Sequence, residues 1–320
     1  MFALPRFALT LALCLLSAAS AYAEPAPEKI VIQDDFKGVR QLMPDGSHKL
    51  YPDRATWAFT FWPGIKWPDS YGDGTNWLEG NDDAQTYVSP FLGKVKGKPV
   101  PVSLRYDPFS IKEDGLHITA SLLTPQQQKA YQVGGHRRFG SGLILSRKTF
   151  TYGKVRMVAK LPSARGSWPA FWLLPATPGW PPEIDPLEGM AWGPHAKQIH
   201  SGYLTREEER DEFPLAGGWF DLGINPSEGF HEYLLDWNSE TVSVSFDGKE
   251  LWKAPTPPSM KKPMYAIINM AVGGKWPYNE LGVKPIDSRA QERLARGSDL
   301  IEPDYPADMI IKSFSVIQTK

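Results

Sequence analysis

Three carboxylic acids stand close together in Pro182-Glu-Ile-Asp-Pro-Leu-Glu-Gly189, and their spacing decides what they could do jointly. In a regular strand successive side chains alternate between faces, so Glu183 and Asp185 share one face and Ile184 takes the other. Strict alternation would bring Leu187 beside the acids and turn Glu188 away. One extra residue in the strand, a β-bulge, returns Glu188 to the acidic face, and Pro186 suits that place because a bulge already lacks one ladder hydrogen bond. Like charges gathered on one face oppose each other's ionisation, so one of the three is expected to keep its proton near neutral pH. An ionised and a protonated carboxyl side by side can cleave a glycosidic bond by double displacement: the first attacks the anomeric carbon, the second protonates the departing oxygen, and the two sit roughly 5 to 5.5 Å apart. Two other readings fit the same residues, an acidic cluster with no chemical task and an oxygen-ligand site for Ca²⁺.

The elements that must carry these acids are short strands. From Ile30 onward, β-branched and aromatic runs are separated by Gly, Pro, Asn and Asp, the pattern of an antiparallel sheet protein. Strands are predicted over Gly115–Leu122, Gly142–Ser146, Tyr152–Lys160, Ala170–Leu174, Gln198–Tyr203, Glu232–Asn238, Thr241–Phe246, Tyr265–Ala271 and Met309–Ile317. In Thr241–Phe246 the side chains of Val242, Val244 and Phe246 fall on one face, and Asp247-Gly248 reads as a tight turn into a return strand over Lys249–Trp252. A sustained helical period is almost absent, with a short helix expected only over Ser288–Arg296, so two packed sheets are favoured over βαβ units. The stretch Trp62–Asn81, rich in Pro and Gly, reads as a long loop that could serve binding. Two further insertions, Glu207–Glu228 and Gly282–Asp304, could rim a cleft.

Composition narrows the partners. Arg6, the apolar run Phe7–Ala18 and the small residues of Ala21-Tyr22-Ala23 read as a secretory signal peptide over residues 1–23, cleaved near Ala23, with one domain over 24–320 that is secreted or periplasmic. The apolar run is too short to span a membrane. The single cysteine, Cys14, lies inside that segment, so no disulfide is expected and a large core must supply stability. A net charge of -1 argues against nucleic acid or an anionic membrane as partner. The 12 Trp, 12 Tyr and 15 Phe would suit either a sugar-binding cleft, where flat rings stack on sugar faces, or an aromatic core.

Glu183-Ile-Asp-Pro-Leu-Glu188 resembles the bulged Glu-x-Asp-x-x-Glu signature of glycoside hydrolase family 16. Four more blocks resemble the family in its order: Tyr152–Pro162, Gly166–Pro175, Gly229–Trp237 and Ile268–Pro277. The resemblance implies an all-β, concanavalin-like jelly-roll sandwich of two curved antiparallel sheets with a concave substrate cleft, and a retaining mechanism. It makes Glu183 the nucleophile, Glu188 the acid/base and Asp185 the residue that hydrogen-bonds the nucleophile and tunes its charge. Trp168, His200, Asn269 and Trp276 become substrate contacts, Trp172 is core or cleft, and His231 and Trp237 belong to the packing behind the cleft. Pro186 is an unusual occupant of the interval between the acids. Lys312 stands where many members carry an aspartate linked to a structural calcium, so no metal is expected, nor any cofactor. The bulged motif resembles the branch containing β-1,3-glucanases and galactan-cleaving enzymes. The expected activity is therefore endo-hydrolysis of a β-1,3- or mixed β-1,3-1,4-glucan by a monomer. A hydrolase or transglycosylase acting on the producer's own exopolysaccharide or on a galactan, and a non-catalytic carbohydrate-binding sandwich, are the alternatives.

Overall fold

The computed structural model describes residues 28–43, 45–61, 75–76, 78, 81–91, 93–135, 137–205, 215–274, 276 and 304–319. Segment 1–23, the helix expected at 288–296, most of the 62–81 loop, and residues 207–214 and 282–303 of the two insertions lie outside that set.

Strands dominate, and they form two main sheets packed face to face. One sheet runs in the order Leu215–Asp221, Gln198–Leu204, Glu183–Gly189, Ser167–Pro175, Met264–Val272, Leu143–Ser146 and Trp57–Ala58. The other centres on Ala307–Thr319, flanked by Gly153–Lys160 and Gly115–Leu122, and extends through His231–Trp237 and Thr241–Phe246 to Lys249–Pro255. The expected two-sheet sandwich is thus the architecture observed, and the acidic strand lies in the interior of the first sheet, paired on both sides.

Alternation decides which side chains fill the space between the sheets. Phe171, Leu173, Ile184, Leu187, Ile199 and Ile268 point inward from the first sheet, and Val155, Met157, Leu235, Val242, Val244 and Phe314 meet them from the second. Phe171 and Phe314 touch edge to face across the gap, 5.6 Å between centroids at 87°. Each such side chain taken wholly out of water contributes about 1.5–3 kcal/mol. Trp237 is in this core, as expected. His231 sits on the second sheet, bonded to Asp247 and stacked on Phe246. The Asp247-Gly248 turn has both residues at positive φ, 47° and 79°, the geometry that favours Gly in a two-residue hairpin.

Three local expectations need correction. Phe139–Ser141 pairs in parallel with Gln85–Val88, so the sheets are not wholly antiparallel; the long intervening chain supplies the crossover that parallel pairing requires. That chain includes the helix Pro125–Ala130, started by a Thr124 capping box with Pro at its first turn, which the sequence reading did not anticipate. Within the supposed insertion Glu207–Glu228, Leu215–Asp221 is the edge strand of the first sheet. Gly217-Gly218 reads as a strand breaker, yet Gly217 (φ 110°) lies so close to Gln198–Leu204 that a Cβ there would stand 2.0 Å from the Ser201 carbonyl oxygen.

Because Leu187 is fully buried beneath the acids, Leu187→Ala is expected to cost about 2–5 kcal/mol of unfolding free energy. Urea unfolding checks this, and a loss below about 1 kcal/mol would show that the strand is not seated as described.

Candidate active site

The acidic strand carries the extra residue. Along its border with Ser167–Pro175, Ala170 pairs with Glu188 and Phe171 with Leu187, but Leu173 pairs with Ile184. Trp172 therefore faces two residues, Asp185 and Pro186. On the other border Asp185 pairs with Gly202 and Glu188 with His200, so Ser201 faces both Pro186 and Leu187. At the bulge Ser201 Oγ donates to the Asp185 carbonyl at 3.0 Å. Ser201 Oγ in turn accepts from Trp252 Nε1 at 2.8 Å, a side chain of the second sheet. The kink is thus held from behind through the sandwich.

Its consequence is a division by face. Ile184 and Leu187 are wholly buried in the inter-sheet core, while Glu183, Asp185 and Glu188 together line a cavity of about 320 Å³ on the opposite side of the sheet. Trp168, Ala170 and Trp172 of the next strand and Asn269 and Ala271 of the one beyond line the same cavity. Leu78, Asn81, Asp83 and Tyr87 contribute from the segment that crosses this face.

Each glutamate has a partner. Trp180 Nε1 donates to Glu183 Oε2 at 2.6 Å, and Nδ1 of His200 lies 2.9 Å from Glu188 Oε2. Burial pushes the Glu183 carboxyl up to about 7 and the Glu188 charge adds to this, while the bonds from Trp180 and Asp185 oppose it. Burial also holds Asp185 well above the usual carboxylate range, reinforced by the charges of Glu183 and Glu188 and by its bond to Glu183. The same bond lowers Glu183 and raises Asp185, so Asp185 carries the proton between these two and donates it to Glu183.

The remaining expected contacts are distributed around this centre. Trp168 lines the cavity. Trp172, left open between core and cleft, shares its face and gives its Nε1–H to Asn269 Oδ1 at 2.7 Å, while Asn269 Nδ2 donates to Tyr87 Oη at 2.9 Å. Asn269 thus meets the cavity with both ends of its amide already engaged. Trp276 stands between Trp168 (4.9 Å, 18°) and Trp219 (5.6 Å, 20°), and Trp219 stacks in turn on His195. Trp276 thus packs near-parallel with two other indoles beside His200. His200 meets Trp219 and Trp276 edge to face beside Glu188. Lys312 lies over Phe230 on the second sheet. Among the described residues no group of three or more His, Cys, Asp or Glu is arranged to hold a metal ion, and no helix is long and apolar enough to cross a membrane.

Five participants were not anticipated from sequence: Trp180, Trp219, Asp83, Ser201 and Trp252. Trp180 alone had a local signal, a tryptophan three residues before Glu183 framed by Gly179 and Pro181-Pro182.

Comparison with known proteins bears on the whole arrangement. The family model for glycosyl hydrolases family 16 matches residues 109–287. The endo-1,3-1,4-beta-glycanase EglC of Rhizobium meliloti (strain 1021) is 33% identical over 201 residues, covering 62% of this chain and 39% of that protein. The endo-1,3-1,4-beta-glycanase ExsH of the same organism is 30% identical over 243 residues, covering 75% of this chain and 44% of that protein. The chain therefore spans less than half the length of either relative. The crystal structure of SCLam, a non-specific endo-beta-1,3(4)-glucanase, superposes with a TM-score of 0.63 at 22% identity over 93% of this chain and 95% of that one, a likeness of fold.

Two outcomes follow from the electrostatics. Glu183 has a folded value of about 7 against an ordinary 4.5, so its contribution to stability is full below the lower value and lost as pH rises through the higher one. Glu183→Gln is accordingly expected to raise Tm at about pH 8 and to change it little at about pH 4, read by calorimetry; equal melting at the higher pH would contradict the burial argument. Trp180→Phe removes a donor to the charged form, so the Glu183 midpoint followed by carboxyl ¹³C NMR should move upward. A fixed midpoint would show that the bond does not tune the carboxylate.

Proposed function

The chain belongs to glycosyl hydrolases family 16, and we propose that it is a secreted endo-glycosidase that hydrolyses a β-1,3- or mixed β-1,3-1,4-glucan with retention of configuration. The observation that carries this reading is the gathering of Glu183, Asp185 and Glu188 on one sheet face, over one aromatic-lined cavity, by a single inserted residue. A cluster with no chemical task would have no reason to be gathered in one cavity, where each charge opposes the ionisation of the others.

In this reading Glu183 attacks the anomeric carbon and forms a glycosyl-enzyme ester as the bond to the glycosidic oxygen breaks. Glu188 gives that oxygen its proton, so the leaving chain departs as a neutral alcohol. The Glu188 carboxylate then takes a proton from water, whose oxygen attacks the anomeric carbon, and Glu183 leaves as a carboxylate. Asp185 supports Glu183 in its charged state before attack and after release, and Trp180 does the same from the mouth of the cavity. His200, bonded to Glu188, orients the group that alternates between acid and base. Trp168 and Trp172 offer apolar surface against which a sugar ring packs. The linkage follows the names of the two rhizobial relatives, and release from the cell follows the character of residues 1–23.

Assay of new reducing ends on purified β-glucans should show release from a mixed-linkage glucan, with Glu183→Gln and Glu188→Gln each lower by about 10³-fold or more. ¹H NMR of fresh product should show the β-anomer first. Absence of hydrolysis on every β-glucan, or first appearance of the α-anomer, would overturn the reading.

A further inference from the structure

Trp168, Trp172 and Trp180 all line the cavity, but they differ in how much of themselves they leave to solvent. Trp168 and Trp172 show 8% and 7% of their surface, and Trp180 shows 50%. Among the described residues Trp180 is also the single aromatic side chain in the group of exposed large apolar ones; the others are Ile, Val and Leu. A lone exposed apolar residue is ordinary on an outer surface. This one stands beside the acids, and it is fixed there. Its Nε1–H donates to Glu183 Oε2 at 2.6 Å, which engages the only polar atom of the indole, so the ring surface left open is carbon. The connection 176–182 that carries it, between Ser167–Pro175 and Glu183–Gly189, is restrained at both ends: the Ala176 amide donates to the Pro263 carbonyl at 2.8 Å, and Pro181-Pro182 restricts φ just before the acidic strand. Trp168, Trp276 and Trp219 pack on one another, whereas no ring contact among the described residues includes Trp180.

An open, flat carbon surface held by its edge next to the nucleophile matches one face of a pyranose ring. In a β-glucopyranose unit the hydroxyls lie round the equator and the axial C–H bonds point to the two faces, so a face can pack on carbon while the hydroxyls keep their own hydrogen bonds. Because the bond to Glu183 already fixes the indole, little side-chain freedom is lost when a sugar settles on it. We propose that Trp180 is a substrate-binding residue that works through both parts of one indole: its open face takes a sugar unit at the Glu183 end of the cavity, and its N–H edge holds the nucleophile. The class of ligand is a neutral pyranose unit that presents an apolar face, as each unit of a β-glucan does. Grip on the substrate and support of the attacking carboxylate are thereby joined in one side chain, and substitutions that keep the ring but lose the N–H separate them.

The inference rests on the glycosidase reading, and its test separates the two. Titration calorimetry measures binding of a mixed-linkage β-glucan tetrasaccharide to Glu188→Gln, which keeps Glu183 and its bond to Trp180 and turns over too slowly to consume the sugar. Adding Trp180→Ala should weaken binding by about ten-fold or more, and adding Trp180→Phe, which keeps a flat ring, by about three-fold or less. The Glu183 midpoint, followed by carboxyl ¹³C NMR, should move upward in both, since both lose the N–H donor. Binding thus follows the ring face, and the titration follows the edge. Tm of each variant confirms folding, and Trp180→Leu, apolar but not flat, replaces the Ala variant should that one fail to fold, with the same expected loss. Unchanged binding in Trp180→Ala, or a loss in Trp180→Phe as large as in Trp180→Ala, overturns this inference while the wild type still cleaves glucan. No binding to Glu188→Gln, together with no cleavage by the wild type, overturns the glycosidase reading and this inference with it.

Discussion

One inserted residue in an otherwise regular strand sets the geometry of the site. Without it the side chains of positions 183 to 188 would alternate, and either Leu187 would leave the core or Glu188 would enter it. With it, Ile184 and Leu187 both remain among the inward-facing apolar residues, and all three acids emerge on the other surface. Proline is well suited to the kink because it has no N–H to leave unsatisfied. The Asp185 carbonyl at the kink accepts from Ser201, and Ser201 accepts from Trp252 of the facing sheet. The position of the acids therefore depends on the packing of the whole sandwich as well as on the acidic strand.

Concentrating carboxyl groups in a shielded cavity works against stability, and the structure offsets this selectively. Asp185, raised by burial and by the charges of Glu183 and Glu188, keeps its proton. Glu183 receives donors from two directions, Trp180 and Asp185, so it is the member of the group best able to carry charge. Glu188 is tied to an imidazole that is itself braced by two tryptophans. Three acids with similar intrinsic chemistry are thereby given different tasks by their neighbours, a division that environment alone can impose. The instability that accompanies buried, partly ionised carboxyls is the usual companion of a site arranged for chemistry.

What could be read from the chain and what could not divides along the range of the interactions involved. The bulge was legible because parity is a local property: Glu183, Asp185 and Glu188 cannot share a face in any unbulged strand. Thr241–Phe246 was legible for the same reason, its alternating Val242, Val244 and Phe246 matching one buried face. Contacts between distant segments left no comparable trace. Ser201 and Trp252 are 51 residues apart, and nothing at either position announces that they support the bulge. The Trp168–Trp276–Trp219 stack joins three separate segments, so nothing next to Trp276 in the chain announced its two indole neighbours. Leu215–Asp221 was hidden by Gly217-Gly218, where close approach between strands requires glycine and local propensity argues for a break.

The central claim is geometric: Glu183 and Glu188 flank one glycosidic bond from the same side of one sheet. A crystal structure of the Glu183→Gln variant with a β-glucan oligosaccharide spanning the cavity tests it most directly. The account predicts the two carboxyl-derived groups roughly 5 to 5.5 Å apart on either side of the scissile linkage, with Asp185 bonded to residue 183 and not to the sugar. A separation of about 9 Å, which leaves room for a water and an inverting reaction, or an oligosaccharide lying away from both residues, would contradict it.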